Sequence, residues 1–137
     1  MKKKILSILI SISVLWLLVF MVYVNLKKPR ILVLQSYYTD YSWVNDINKG
    51  ILRILDGKPY NIRYYYMDTK RKPSEDYKKK IGQSARRMID DWKPDIIIPV
   101  DDDAQKYVAM HYINHPSIKI IFTGVNATTS EYGYDKA

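Results

Sequence analysis

From Ile5 to Leu26 the chain carries no charged residue, and its only polar side chains are three serines, Trp16, Tyr23 and Asn25. A run of that length reaches the ~20 residues needed to cross the hydrocarbon of a bilayer. It is therefore read as a transmembrane helix that holds the rest of the chain at one membrane surface. Two other readings stand beside it. A cleaved secretory signal would account for the basic start, Lys2, Lys3 and Lys4, but its apolar stretch usually spans about 7–15 residues, and no small-x-small cleavage site follows. A buried core helix would need a larger domain around it than the remaining residues provide.

Charge narrows the possible partners. The chain of 137 residues has 22 Lys and Arg against 14 Asp and Glu, a formal +8. Six of those basic residues, Lys2, Lys3, Lys4, Lys27, Lys28 and Arg30, flank the apolar run, which leaves 16 against 14 and only +2 on the soluble part. A nucleic-acid partner is not expected, since such domains concentrate a basic excess on one face. The two flanks are equally basic, so the positive-inside rule gives no orientation. Without a cysteine the chain forms no disulfide, no thiolate metal site and no lipid attachment through an N-terminal Cys.

Beyond the anchor, apolar runs alternate with helical periodicity. Arg30 to Gln35 contains Ile31, Leu32, Val33 and Leu34 in succession, the pattern of a strand buried on both faces of a parallel sheet. From Ser42, Val44, Ile47, Ile51, Leu52 and Leu55 recur at helical spacing until Asp56-Gly57. Tyr60 to Met67, rich in aromatic and β-branched residues, predicts a second strand. Asp68 to Pro73 then reads as a turn, with a long helix starting near Pro73 and stopped by Pro94; Ile81, Ala85, Met88, Ile89 and Trp92 form its stripe. Ile96 to Val100 predicts a third strand, followed by one helix with Ala104, Val108, Ala109 and Tyr112 inward, and Ile118 to Phe122 a fourth strand. Strands alternating with helices imply βαβ units. The expected fold class is α/β: an N-terminal transmembrane helix and a parallel sheet with helices on both sides.

Ligands of open parallel sheets bind beyond the carboxyl ends of the strands, so the loops that follow the strands carry the candidate residues. After the first strand, Ser36, Tyr37, Tyr41 and Trp43 combine hydroxyls and aromatic rings at a helix N-terminus, suited to a flat or apolar ligand or a carboxylate. The same rings would equally pack the loop onto the sheet. After the third strand, Asp101, Asp102 and Asp103 suit helix capping, and Asp101 and Asp103 also suit a ligand amine or a divalent cation. After the fourth, Gly124 permits close backbone approach while Thr123 and Asn126 offer hydrogen-bonding side chains; a plain turn accounts for them as well. His111 and His115 have i, i+4 spacing without a third ligand, so no metal is expected there. Asn126-Ala127-Thr128 fits a glycosylation acceptor, a pattern short enough to arise by chance. Lys78 to Lys80 with Arg86 and Arg87 read as a solvated helix face. No Ser-His-Asp set, P-loop or dinucleotide fingerprint is present, and neither a cofactor nor catalysis is expected.

Three segments, in this order, resemble the ABC-type substrate-binding protein family of the type 1 periplasmic-binding fold, which also supplies the extracytoplasmic sensor segments of some bacterial histidine kinases. They are Ile31-Leu32-Val33-Leu34-Gln35-Ser36-Tyr37 with Tyr41-Ser42-Trp43 and Gly50; Lys93-Pro94-Asp95-Ile96-Ile97-Ile98 leading to Asp101 and Ala104; and Ile120-Ile121-Phe122-Thr123-Gly124-Val125-Asn126. A histidine often stands in sensor-type relatives where this chain has Tyr38. The resemblance covers about residues 30–126 and implies a three-layer α/β lobe outside the cytoplasm on a single-pass anchor. It also implies a small organic ligand, such as an amino acid or related solute, and an ABC permease or histidine kinase module as partner. The division it implies is 1–29 anchor or uncleaved signal, 30–126 binding lobe, and 127–137 the start of a crossover to a second lobe. A competing reading from another class is a membrane-anchored, metal-dependent glycosyltransferase, because an apolar strand running into Asp101-Asp102-Asp103 imitates its Asp-x-Asp signature.

Overall fold

A computed structural model describes residues 2–136. The first element, α1 (Lys2–Leu26), has a mean hydropathy of 2.8 over its apolar window and none of that window is buried by the rest of the molecule. At 1.5 Å per residue it is about 37 Å long, enough to cross a hydrocarbon core of roughly 30 Å. The helix is thus long and apolar enough to span a membrane, and its side chains find no apolar cover within the fold.

The remaining elements are β1 (Arg30–Gln35), α2 (Ser42–Leu55), β2 (Asn61–Tyr66), α3 (Glu75–Trp92), β3 (Ile96–Val100), α4 (Asp102–Tyr107) and β4 (Lys119–Ile120). All four strands are parallel, in the order β2-β1-β3-β4. The central strand β1 is sealed on both sides: Leu32, Val33 and Leu34 are wholly buried, which is why its sequence shows no polar alternation. On one sheet face Leu32, Leu34 and Ile97 pack with Ala85 and Ile89 of α3 and with Ala104, Tyr107 and Val108, the principal core. On the other, α2 lies over β1 and β2, where the Asn48 side chain accepts from Gln35 Nε2 at 2.8 Å and donates to the Tyr66 hydroxyl at 3.3 Å.

Local signals explain the ends of α3. Ser74 caps it by accepting from the Tyr77 N–H, Glu75 and Asp76 sit in the positive first turn, and Lys93 closes it with a left-handed backbone (φ 52°) before Pro94. Gly82, in the middle of α3, lies so near α4 that a Cβ there would stand 2.8 Å from Tyr107 Cβ and 2.9 Å from the Tyr107 carbonyl oxygen.

Three expectations need correction. The strand expected at Tyr60–Met67 spans Asn61–Tyr66, although Met67 still donates to Gln35 O at 2.8 Å. The single helix expected after β3 is two pieces, α4 and a 3₁₀ turn at Ala109–Tyr112, because Val108 leaves the helical region (φ −134°, ψ −65°). The strand expected over Ile118–Phe122 keeps only Lys119 and Ile120, with one further bridge from Val100 to Thr123. Beyond Ile120 the cover is thin: Ile121 is 55% exposed, and Phe122 lies at the surface apart from the ring that stacks on it. The same lack of cover leaves a groove of about 500 Å³ beside α2, lined by Ile31, Ile51, Ile54, Ile96, Ile98 and Phe122 among others. Residues 127–136 fold back onto α4 as two 3₁₀ turns, with Tyr134 stacked on Phe122 at 4.6 Å.

Candidate functional site

The chain passes from β1 to β2 in one direction across the sheet and from β2 back over β1 to β3 in the other. Loops leaving β1 and β3 therefore run to opposite faces and open a crevice between the two carboxyl ends, where open α/β sheets bind their ligands. Gln35 and Val100 are the last paired residues of these strands. Ser36 and Asp101 come next, at the floor of the crevice.

Ser36 holds the floor together. Its hydroxyl donates to the Val100 carbonyl at 2.8 Å and accepts from the Ala104 N–H at 2.8 Å, while its own carbonyl accepts from both Thr69 N and Thr69 Oγ1. With 1% of its surface exposed, it ties three loops together from beneath the crevice.

Asp101 has φ 70° and ψ 169°, a region that costs a non-glycine residue on the order of 1–3 kcal/mol and persists only where its surroundings enforce it. The enforcement is visible: its N–H donates to the Thr123 carbonyl at 3.0 Å, and the Asn126 amide donates to Oδ1 at 3.4 Å. Burial pushes its carboxyl above the ordinary aspartate value, against the hydrogen bond from Tyr37. Burial and then the Asp101 carboxylate push the Tyr37 hydroxyl up in turn. Asp101 is thus a strained, desolvated acid beside an aromatic ring.

The other two aspartates are committed elsewhere. Asp102 Oδ1 accepts from Asn126 N at 3.0 Å, Ala127 N at 3.3 Å and the Tyr132 hydroxyl at 2.5 Å, and Oδ2 accepts from Asn126 Nδ2 at 2.9 Å. Burial works to raise Asp102, but these bonds outweigh it and hold the carboxyl below its ordinary value. Asp103 forms a half-buried ion pair with Lys78 Nζ at 2.9 Å.

The aromatic wall is built from Tyr37, Tyr38, Tyr41 and Trp43. Tyr37 meets Tyr41 edge-on at 5.5 Å and Trp43 at 5.9 Å, and Tyr38 meets Tyr41 at 5.5 Å. Gly124 (φ 67°) makes room for Trp43: a Cβ there would stand 2.8 Å from the indole. The loops after β1, β3 and β4 are therefore in direct contact, and Tyr37, Trp43, Asp101, Gly124 and Asn126 converge. Thr123 meets the group only through its backbone, and Ser36 lies beneath it.

A search against family models, curated proteins and solved structures found no match to the chain.

Two residues of this edge were missed in the sequence. Lys70 Nζ donates to the Tyr41 hydroxyl at 2.6 Å and lies over the Tyr41 and Tyr37 rings at 4.1 and 4.9 Å, and the Arg71 guanidinium lies 4.2 Å over Tyr38. Arg71 is held by Asp68 at 2.6 Å, and Asp68 is drawn below the ordinary aspartate value chiefly by that bond. Residues 68–73 read as a turn, yet they follow a parallel strand and so occupy the same carboxyl edge; that position was the available signal. The crevice accordingly offers π faces, two cations and one buried carboxylate. The groove beside α2 is nearly all apolar, without the converging polar groups that fix a small ligand's orientation.

Proposed function

We propose that this chain is a membrane-tethered, non-enzymatic binding lobe of the type 1 periplasmic-binding class, three-layered and exposed outside the cytoplasm. It takes a small organic solute in the crevice between β1 and β3, as the input of an ABC-type uptake system or a sensor kinase. The observation that carries the reading is the convergence of Tyr37, Trp43, Asp101 and Asn126 at the topological switch point, with Asp101 held in a strained, desolvated state. Strain of this kind gathers at ligand clamps. A solute with a flat or apolar body and an ammonium group would stack on the rings and meet Asp101. A carboxylate on the same solute would meet Lys70 or Arg71, which makes an amino acid a suitable shape.

The glycosyltransferase reading asks Asp101 and Asp103 to share a divalent cation. Asp103 is instead paired with Lys78, and Asp101 faces Tyr37 and Asn126, so the solute-binding reading is preferred.

The test is thermal unfolding of the full chain in detergent against amino acids, purines, sugars, and manganese with nucleotide sugars. A ligand that binds only the folded form raises Tm by mass action, by about 2.7 kcal/mol of stabilisation at a hundred times Kd. A rise with an organic solute that is lost in Trp43→Ala supports the proposal. A rise that needs both manganese and a nucleotide sugar overturns it in favour of the transferase.

A further inference from the structure

The two ends of the soluble domain differ in charge. At the end that carries the amino termini of the strands, Arg53 in the last turn of α2, Lys58 after it, Lys93 after α3 and Lys119 at the start of β4 are all exposed. Lys27 and Lys28 join them from the connection to α1. Two of the four acids at this end are engaged: Asp95 accepts from the Arg30 N–H at 2.7 Å and lies near its guanidinium, and Asp90 accepts from the Tyr112 hydroxyl at 2.9 Å. Asp56 and Asp91 are exposed between the cations. Beside Arg53 and Lys58, Ile54 projects with 72% of its surface in solvent. At the opposite end Asp40, Asp68, Asp101, Asp102 and Glu131 stand among Lys70, Arg71, Lys72 and Lys78, and Asp68 pairs with Arg71 and Lys72 while Asp103 pairs with Lys78, so the cations there are matched by acids.

The connection fixes which end meets a membrane. Only Lys27, Lys28 and Pro29 separate α1 from β1, and three residues reach about 10 Å at full extension. When α1 spans a bilayer, the strand amino termini stand within headgroup distance, whereas the carboxyl ends are held about 20 Å further out by the length of β1.

We propose that this basic end is a docking surface for anionic phospholipid headgroups, with Lys58, Lys93 and Lys119 on the lipid phosphates and Ile54 at the headgroup–acyl boundary. Exposed lysines beside an apolar side chain suit that interface, where the ammonium groups stay hydrated while apolar atoms enter. Docking would stand the sheet upright and turn the crevice between β1 and β3 away from the bilayer, open to solutes. The inference rests on α1 spanning the membrane and is independent of which solute binds.

The chain contains no cysteine, so single labels can be placed without background. Full-length protein carrying Ser117→Cys at the basic end, or Thr39→Cys at the other, is labelled with an environment-sensitive fluorophore. It is reconstituted into vesicles of phosphatidylcholine alone or mixed with phosphatidylglycerol, each doped with a headgroup quencher. The expected result is stronger quenching at position 117 in the anionic vesicles, falling to the phosphatidylcholine level at ~1 M salt, where the screening length is about 3 Å, and no change at position 39. Each cation near an anionic surface is worth about fivefold in partitioning. Lys58→Gln, Lys93→Gln and Lys119→Gln together should therefore lower the docked-to-undocked ratio on the order of a hundredfold. Quenching independent of lipid charge and salt would overturn the docking surface and leave solute binding untouched. Insensitivity to the triple variant would overturn it equally, leaving the basic end for an acidic protein partner. A chain that does not float with either vesicle overturns the anchor and this inference with it, and the melting screen then still reports on the solute site.

Discussion

Gly82 and Gly50 lie in the interiors of α3 and α2, and replacing each by alanine should move stability in opposite directions. In an exposed helix interior, Gly→Ala gains about 0.8–1 kcal/mol because alanine loses less backbone entropy on folding. Gly50 has nothing within 4 Å of a built Cβ, so Gly50→Ala should gain about that amount. Gly82 carries the same propensity term, but its Cβ would meet Tyr107 Cβ at 2.8 Å and the Tyr107 carbonyl at 2.9 Å. The carbonyl belongs to backbone and cannot rotate aside. Relief would shift α4 away from α3, disturbing the Tyr107 hydroxyl's 2.6 Å bond to Glu75 and the bond from Arg86 Nη1 to the Tyr107 carbonyl. Overpacking of this kind typically costs about 1–3 kcal/mol; less the propensity gain, Gly82→Ala should lose up to about 2 kcal/mol. Urea unfolding of both variants in detergent, followed by near-ultraviolet circular dichroism of the packed aromatic rings, reads the difference as a change in midpoint at constant m-value. In a domain of roughly 100 residues, 1 kcal/mol is also a shift of about 4–8 °C in Tm. A Gly82→Ala variant as stable as Gly50→Ala would refute the close contact between α3 and α4, and with it the position of α4 beneath the crevice.

Asp102→Ala strands four donors that hold residues 126–132 to α4, and with the charged acceptor partly solvated it should cost about 2 kcal/mol; proteolysis should nick the C-terminal turns first. The wild-type domain should lose stability on acidification: Asp68 and Asp102 both lie below the ordinary aspartate value in the fold. Their contribution is full above about pH 4 and is lost as pH falls through the lower folded values, so Asp102→Ala should flatten the slope of urea midpoint against pH. Asp101 behaves oppositely, because its folded value is raised. Its contribution is present below about pH 4 and lost as pH rises through the raised value. Asp101→Asn should therefore melt higher than wild type at pH 7 but not at pH 3, while solute binding weakens; an unchanged melting temperature at pH 7 would contradict the burial argument. Gly124→Ala, at φ 67° and 2.8 Å from the Trp43 ring, should shift Trp43 fluorescence and reduce stability by about 1–3 kcal/mol.

The local pattern of the chain determined its elements wherever one physical cause acts alone. The uncharged run from Ile5 to Leu26 makes a helix long and apolar enough to span a membrane, the unbroken Ile31–Leu34 run requires cover on both faces, and Ser74 and Pro94 mark the ends of α3 through capping and a missing N–H. Their alternation made the parallel sheet legible, and the sheet rule directed attention to the loops after the strands, which carry Tyr37, Trp43, Asp101 and Asn126 although they are far apart in the chain. The tertiary structure decided whatever depends on which partner reaches a side chain first. Asp101, Asp102 and Asp103 look alike in sequence, yet one is strained and desolvated, one anchors the C-terminal turns and one is paired with Lys78. Ser36 is claimed by backbone groups of other loops, and Lys70 and Arg71 joined the aromatic wall because β2 ends at the same edge. β4 is limited to Lys119 and Ile120, with Ile121 and Phe122 beyond it at the surface, a matter of long-range packing that no local pattern encodes.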